Sequence, residues 1–295
     1  MSVMIGTTDS MPSAAELERL DADFPTRYMV LGAGTRIAFR ECGSGPLVLC
    51  LHGIGSNAGS WVHVARELRH RARVLAWDMP GYGESSPVVP SMPDASHYAT
   101  RLSELASRLG ARDFVLTGHS LGAIVAAAAV RRFPQFAQQV RALVFVSPAR
   151  GYGAAGKEAV RQKVYRDRLD SLKQLGIGGL ADTRSMRLVS EGASAAHLAW
   201  VRLALAQLDE AGYRQAIELL CGADLLSDLP LPVPVRVLCG ERDVVTEPAA
   251  CGEVAIRCGM PLELIVGAGH ASPVERPQAV AAAISQMAGS EPQRP

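Results

Sequence analysis

The stretch Val115-Leu116-Thr117-Gly118-His119-Ser120-Leu121-Gly122 places a Gly-x-Ser-x-Gly pattern between two apolar segments. The run Phe114 to Leu116 predicts a short buried strand, and the small-residue segment Ala123 to Val130 predicts a buried helix. A serine on a sharp strand-to-helix turn stands clear of the backbone, and the first N–H groups of the helix carry partial positive charge beside it. Such a turn suits a nucleophile. The alternative is that the glycines only form a turn and the serine only caps the helix.

Length and composition indicate a globular α/β protein. The 295 residues suffice for one large domain or for two smaller units around one core. Apolar residues make up 48% and charged residues 20%, and the formal net charge is +1. Without a basic patch interleaved with aromatic residues, no nucleic-acid partner is expected. The longest purely apolar run is too short for a bilayer and residues 1–23 do not resemble a secretory signal, so we expect a cytoplasmic protein with no membrane partner.

The cysteines and histidines show no metal-site spacing. Six cysteines, at positions 42, 50, 221, 239, 251 and 258, include no Cys-x-x-Cys pair. They are interpreted as reduced, mostly buried apolar residues. The sequence therefore predicts no metal, nucleotide or flavin cofactor. The expected partner is a small-molecule substrate, and a homo-oligomer is left open.

Strand and helix patterns alternate over residues 26–148 and again over residues 229–295, which predicts an α/β core with a largely parallel sheet. Residues 149–228 instead carry helical patterns and no convincing strand, so they are predicted to form a helical cap inserted into the core. Residues 1–25 are predicted to be a polar arm. The best helical patterns of the cap are Ala159 to Leu175, Ser194 to Gln207 and Asp209 to Leu220.

Polar residues follow several predicted strands directly, at the sheet edge where ligands of such folds bind. Serine needs a base within hydrogen-bond reach, and the base needs an acid to orient it. His270 lies in a small-residue loop after the last predicted strand, and Asp243 follows the strand that ends at Cys239. We therefore predict Ser120, Asp243 and His270 as catalytic residues, with Glu241 as an alternative acid.

A tetrahedral intermediate also needs two N–H donors for its oxyanion. The backbone N–H groups of Leu121 and Ile54 are predicted to supply them. His52 is expected to hold the loop rather than take part in the reaction. Trp61 is predicted to contact the substrate in an apolar pocket under the cap, together with cap residues such as Trp200, although either tryptophan could be plain core.

Five motifs together resemble the α/β-hydrolase superfamily, over about residues 27 to 287. They are His52-Gly53-Ile54-Gly55, Asp78-x-Pro-Gly-x-Gly-x-Ser85, Gly118-His-Ser-Leu-Gly122, Gly-x-x-Asp243 and Gly-x-Gly-His270. The resemblance implies an eight-stranded, mostly parallel sheet with helices on both faces and a helical cap between strands 6 and 7. Within the superfamily the chain is most similar to the 3-oxoadipate enol-lactonase group and related aromatic-degradation hydrolases.

The resemblance implies a serine hydrolase that cleaves a small carboxylic ester or lactone through an acyl-enzyme. Ser120 occupies the position where a haloalkane dehalogenase would carry Asp. Hydrolysis of a carbon–carbon bond or an amide by the same residues is an alternative. Acyl transfer and a non-catalytic ligand sensor are further alternatives.

Overall fold

Apolar runs form the central strands of one sheet in the computed structural model, which describes residues 11–289. Every residue of the third and fifth strands is buried, as expected for strands covered on both faces. The strands are β1 Thr26–Val30, β2 Arg36–Cys42, β3 Leu47–Leu51, β4 Arg73–Trp77, β5 Phe114–His119, β6 Val140–Val146, β7 Val235–Gly240 and β8 Leu262–Ile265.

The eight strands lie in the order β1-β2-β4-β3-β5-β6-β7-β8. The pairs β1/β2 and β2/β4 are antiparallel, and all the other pairs are parallel. The predicted eight-stranded, mostly parallel sheet is therefore confirmed. The parallel arrangement brings the carboxyl ends of β3 to β8 to one edge, where the loops that carry the candidate residues begin.

Helices cover the sheet and fill the interval between β6 and β7. They are α1 Ala14–Asp23, α2 Val62–Leu68, α3 Ala95–Arg108, α4 Leu121–Arg132, α5 Pro134–Gln139, α6 Glu158–Leu188, α7 Ala195–Ala206, α8 Glu210–Gly222, α9 Leu225–Asp228, α10 Pro248–Arg257, α11 Ser272–Glu275 and α12 Pro277–Gly289, with short 3₁₀ turns at Gly32–Gly34 and Ala58–Trp61. Four of them, α6 to α9, form the helical insertion expected between the sixth and seventh strands.

The longest helix, α6, differs from its prediction. The pattern predicted an end at Leu175, and the backbone does leave the helical conformation at Gly176, where φ is 60°. The helix then resumes as far as Leu188, because Leu180 and Ala181 are buried in the core and this packing outweighs the weak helix propensity of the glycines around them. The short helix α5 is absent from the predictions, although Pro134 at its first turn is a usual start signal.

The division of the chain into an arm, a core and a cap stays a prediction. Residues 1–10 of the predicted arm and residues 290–295 at the other end lie outside the described residues. Ser13 caps α1, with its side chain accepting from the Glu16 N–H at 3.3 Å. None of the helices within residues 11–289 has the length and apolar character that a membrane crossing requires.

Candidate functional site

The turn between β5 and α4 consists of one residue, Ser120. Its backbone has φ 52° and ψ −115°, in the positive-φ region that residues with a side chain rarely adopt. The surrounding backbone fixes this conformation: the Ser120 N–H donates to the Val146 carbonyl at 3.0 Å, and the Ser120 carbonyl accepts from the Ala149 N–H at 3.1 Å. The strain is thus held by β6 and the loop after it, as is typical of functional positions.

The two glycines of the motif let this turn lie against its neighbours. A Cβ at Gly118 would lie 2.7 Å from the backbone nitrogen of Ala123, and a Cβ at Gly122 would lie 2.5 Å from the carbonyl oxygen of Leu51. No side chain fits at either distance without moving backbone. The glycines therefore set how closely α4 approaches the ends of β5 and β3.

The structure joins His270 and Asp243 directly. His270 follows β8 and Asp243 follows β7, and His270 Nδ1 lies 2.8 Å from Asp243 Oδ2. The other carboxylate oxygen of Asp243 accepts from the N–H groups of Val245 and Thr246 at 2.8 and 2.9 Å. Burial opposes ionisation of Asp243, but the His270 imidazole and these hydrogen bonds outweigh it and hold the pKa of the carboxyl well below its usual range.

An ionised Asp243 determines the tautomer of His270. A carboxylate only accepts hydrogen bonds, so Nδ1 of His270 carries a proton, and in the neutral ring the lone pair is then on Nε2. Ser120 and His270 line the same cavity of about 610 Å³, at the carboxyl ends of β5 and β8. The structure therefore brings Ser120 and His270 to one cavity and holds His270 against Asp243.

Thr246 belongs to this site although the sequence analysis did not single it out. Its hydroxyl lies 2.9 Å from Asp243 Oδ2, 3.2 Å from His270 Nδ1 and 3.0 Å from the Ser147 carbonyl oxygen. The Asp-x-x-Thr spacing is the only local signal for it. The alternative acid Glu241 is directed elsewhere, because its carboxylate accepts from the Gly267 N–H at 3.0 Å.

The loop after β3 has its first peptide group fixed. The Gly53 carbonyl accepts from His52 Nδ1 at 2.8 Å and from the Ser56 N–H at 3.2 Å. Because C=O and N–H point in opposite directions in a trans peptide, the Ile54 N–H faces away from these donors. Ile54 lines the cavity beside Ser120, and within residues 11–289 neither the Ile54 N–H nor the Leu121 N–H donates to a protein atom. Both are thus available to an oxyanion.

His52 holds this loop, as expected. Its Nδ1 donates to the Gly53 carbonyl and its Nε2 accepts from the Met79 N–H at 3.0 Å, so the ring joins the loops after β3 and β4. Burial lowers the pKa of His52 to about 4, so the ring is neutral at physiological pH. The Tyr82 hydroxyl supports the same loop by donating to the Ile54 carbonyl at 2.7 Å.

Asp78 stabilises the far side of the loop after β3. Its carboxylate accepts from the Ala58 N–H at 2.8 Å, where the 3₁₀ turn begins. Burial raises the pKa of the Asp78 carboxyl to about 6. The motif that begins at Asp78 therefore acts through the backbone of its neighbours rather than at the cavity of Ser120.

The two tryptophans are not placed as predicted. Trp61 is fully buried in the core at the start of α2 and does not line the cavity of Ser120, which corrects its assignment as a substrate contact. Trp200 lines a separate, smaller cavity and makes an edge-to-face contact with His63 at 5.4 Å between ring centroids.

Arginines rather than tryptophans distinguish the cap wall of the main cavity, and the sequence analysis did not find them. Arg168, Arg184 and Arg187, all on α6, line it together with Tyr213 of α8.

All six cysteines are free. Residues 11–289 contain no group of three or more His, Cys, Asp or Glu side chains placed to hold a metal ion.

Comparison with known proteins identifies the family. The model of the Alpha/beta hydrolase family matches residues 48–283. An uncharacterized protein of Mycobacterium tuberculosis is 38% identical over 116 residues, which are 39% of this chain and 34% of that protein, so the likeness spans about a third of its length.

A thermophilic esterase from Thermogutta terrifontis superimposes with a TM-score of 0.73 at 25% identity, over 88% of this chain and 97% of that one. The enol-lactonase from Burkholderia xenovorans LB400 superimposes with a TM-score of 0.78 at 22% identity, over 90% of this chain and 100% of that one, and shares the fold. The chain belongs to the alpha/beta hydrolase family.

Proposed function

We propose that the protein is a serine hydrolase that cleaves a small carboxylic ester or lactone through an acyl-enzyme. One observation carries the proposal: Ser120, on its strained turn, opens into the cavity that His270 lines, and Asp243 accepts from His270 Nδ1, so that the lone pair of the neutral ring is on Nε2. A serine hydroxyl is a weak nucleophile unless a base of this kind removes its proton.

In the first half of the reaction, Ser120 Oγ attacks the substrate carbonyl while His270 Nε2 takes the hydroxyl proton. Asp243 stabilises the imidazolium that forms, and the N–H groups of Leu121 and Ile54 donate to the oxyanion. Collapse of the tetrahedral intermediate breaks the carbon–oxygen bond to the leaving group, which receives the proton from His270. In a lactone the leaving alkoxide stays attached to the acyl chain.

In the second half, water replaces the leaving group. His270 Nε2 takes a proton from the water as its oxygen attacks the acyl carbon, and the second tetrahedral intermediate uses the same two N–H donors. Its collapse returns the proton to Ser120 Oγ and releases the carboxylic acid. No step requires a cofactor, and each proton taken by His270 is given back within the same half-reaction.

The likeness to the Thermogutta terrifontis esterase, at 25% identity over 88% of the chain, supports an ester as the substrate. Carbon–carbon bond and amide hydrolysis use the same three residues and are the alternatives. Both would require His270 to protonate a poorer leaving group, carbon or nitrogen, before the bond breaks.

The test is labelling with a fluorophosphonate probe, with the modified residue located by mass spectrometry and with Ser120→Ala as the control. We expect modification at Ser120 in the wild-type protein and none in the variant. A panel of lactones, simple esters, amides and ring-cleavage dienoates then identifies the bond that is cleaved. The proposal fails if folded wild-type protein is not labelled, or if Ser120→Ala hydrolyses esters at the wild-type rate.

A further inference from the structure

The cap wall of the Ser120 cavity carries an excess of positive charge. Four arginines line the cavity, Arg150, Arg168, Arg184 and Arg187, whereas Asp167 is the only carboxylate that the described part of the chain contributes to its lining. Two of these five charged side chains, Arg150 and Asp167, already have a partner of opposite charge. Arg150 forms an ion pair with Glu253, and Asp167 accepts from Lys163 Nζ at 2.6 Å. Within residues 11–289, Arg168, Arg184 and Arg187 of α6 form no ion pair with a carboxylate.

The hydrogen bonds of these three side chains confirm the imbalance. Arg168 donates from its guanidinium to the Tyr213 hydroxyl at 3.2 Å, which is a neutral acceptor. Within residues 11–289, Arg184 and Arg187 make no hydrogen bond and no ion pair. The nearest acid in sequence to Arg184 is Asp182, and its carboxylate instead pairs with Arg202 of α7.

Arg184 combines partial burial with the lack of any side-chain hydrogen bond within residues 11–289. It is half-buried, and it lies within electrostatic range of Arg168, Arg187 and Tyr213. Burial, followed by repulsion from Arg168, lowers the pKa of its guanidinium. Partly desolvated like charges without a counter-charge are unfavourable, and a bound anion would relieve both the desolvation and the repulsion.

The cavity separates these cations from the nucleophile. Ser120 and His270 lie on its sheet side, and α6 and α8 lie on its cap side. A volume of about 610 Å³ is in the usual range for a pocket that encloses one small molecule. Ser120 and the arginines therefore face one cavity of a size that suits a single small molecule.

We infer that the substrate carries a second, negatively charged group, and that Arg184 with Arg168 binds this group while Ser120 attacks the ester or lactone carbonyl. The inference rests on the proposed function. Planar guanidinium groups bind carboxylates and phosphates through paired N–H donors, so both oxyanions share the required chemistry. Tyr213 holds Arg168 in place from the cap side.

The test compares p-nitrophenyl esters of equal chain length that end in a carboxylate, a phosphate or a methyl group. The measured quantity is the ratio of kcat/KM for a charged ester to kcat/KM for the methyl-terminated ester. We expect the wild-type ratio to exceed one, and Arg184→Met to lower it about tenfold or more, mainly through KM, because the variant loses charge-assisted hydrogen bonds to the second group. The charged ester with the higher kcat/KM shows whether the site prefers a carboxylate or a phosphate.

Three variants make the comparison specific. Arg184→Lys keeps the charge and should restore part of the ratio. Arg166→Met removes an exposed arginine of the same helix that does not line the cavity, and should leave the ratio at its wild-type value. If Arg184→Met does not fold, Arg168→Met, which removes the other arginine assigned to the charged group, replaces it and should also lower the ratio.

A binding measurement separates this inference from the proposed hydrolysis. Glutarate and a short alkyl phosphate are titrated calorimetrically into the Ser120→Ala protein, with and without Arg184→Met. Arg184-dependent binding supports the inference even if no ester is cleaved. A wild-type ratio near one, or an equal fall with Arg166→Met, overturns it even if Ser120 is labelled and neutral esters are hydrolysed.

Discussion

The His119 imidazole donates from Nε2 to the backbone carbonyl of His270 at 2.9 Å, so the residue before the candidate nucleophile holds the loop of the candidate base. Because a carbonyl only accepts, Nε2 of His119 carries the proton. Burial, followed by the nearby His270, lowers the pKa of His119 to about 3, and the ring therefore stays neutral. The two ring centroids lie 4.8 Å apart. The hydrogen bond thus fixes the position of His270 without adding charge beside it.

We expect His119→Phe to lower kcat for ester hydrolysis by about tenfold with little change in KM, since small misplacements of a reacting group can cost up to about 100-fold in rate. Phenylalanine keeps a ring against His270 but has no donor for its carbonyl. Steady-state kinetics on one simple ester measures the effect. His70→Phe, at an exposed position outside the cavity, is the control. An unchanged kcat in His119→Phe would show that the loop of His270 is held well enough by its other contacts.

Those other contacts come from the cap and from α11. The Ala271 N–H donates to the Leu188 carbonyl at 2.7 Å, and the buried Glu275 accepts from the N–H groups of Gly269 and Ser190 at 2.9 and 3.0 Å. The end of α6 is therefore joined to the His270 loop on both sides. A movement of the cap would reach His270 through these hydrogen bonds.

The variant Tyr82→Phe tests whether the Tyr82 hydroxyl holds the loop after β3 in place. Tyr82→Phe removes its hydrogen bond to the Ile54 carbonyl and leaves that carbonyl without this partner. We expect kcat to fall, by less than the factor of about 10²–10³ that loss of an oxyanion donor typically causes, because the Ile54 N–H itself remains. Tyr28→Phe is the matched control, since the Tyr28 hydroxyl bonds to Glu84 on the surface. Equal kinetics for the two variants would contradict a role for Tyr82 in holding the loop.

The variant Gly122→Ala tests how closely the turn at Ser120 packs against the end of β3. Gly122→Ala should lower the free energy of unfolding by about 2 kcal/mol or more, because its Cβ would lie 2.5 Å from the backbone oxygen of Leu51 and overpacking typically costs 1–3 kcal/mol. Chemical denaturation measures the difference. Gly252→Ala in α10 is the matched control: no atom lies within 4 Å of its Cβ, and alanine in a helix interior is favoured by about 0.5–1 kcal/mol. Equal stability of the two variants would refute the close approach.

The sheet and the three candidate catalytic residues could be predicted because their signals are local. The apolar runs of β3 and β5 fix buried strands, and Ser120, Asp243 and His270 lie at or within five residues of the carboxyl ends of β5, β7 and β8. That placement brings them to one edge whatever the loops do. The helix end at Leu175 was a local signal too, and it marked the break at Gly176 but not the resumption of α6.

The rest of the site depends on contacts between distant parts of the chain. The bond from His119 to His270 spans 151 residues, and its sequence signal is only a histidine inside a motif. Which face of α6 presents Arg184 to the cavity depends on how α6 packs against α7 and α8, and helical periodicity alone does not determine this. Trp61 shows the reverse error: this aromatic residue near the motif loop is fully buried in the core and does not line the cavity, and no local signal distinguishes the two positions.

Asp78 makes the stability of the protein depend on pH. Its carboxyl has a pKa of about 6 in the folded protein against an ordinary value of 3.8, so the folded state holds the proton more tightly than the unfolded chain does. The resulting stabilisation is fully present below pH 3.8 and is lost as the pH rises through about 6, by an amount on the order of 3 kcal/mol at about 1.4 kcal/mol per pKa unit.

Asp78→Asn keeps an acceptor for the Ala58 N–H and removes the titration. We therefore expect the unfolding free energy of Asp78→Asn minus that of the wild type to increase from pH 4 to pH 7. Carboxyls such as Asp243, whose lowered pKa acts in the opposite direction, are common to both proteins and cancel in the difference. Urea denaturation at several pH values gives the measurement, with the exposed Asp170→Asn as control. A difference that stays constant between pH 4 and pH 7 would show that the buried Asp78 carboxyl does not titrate in this range.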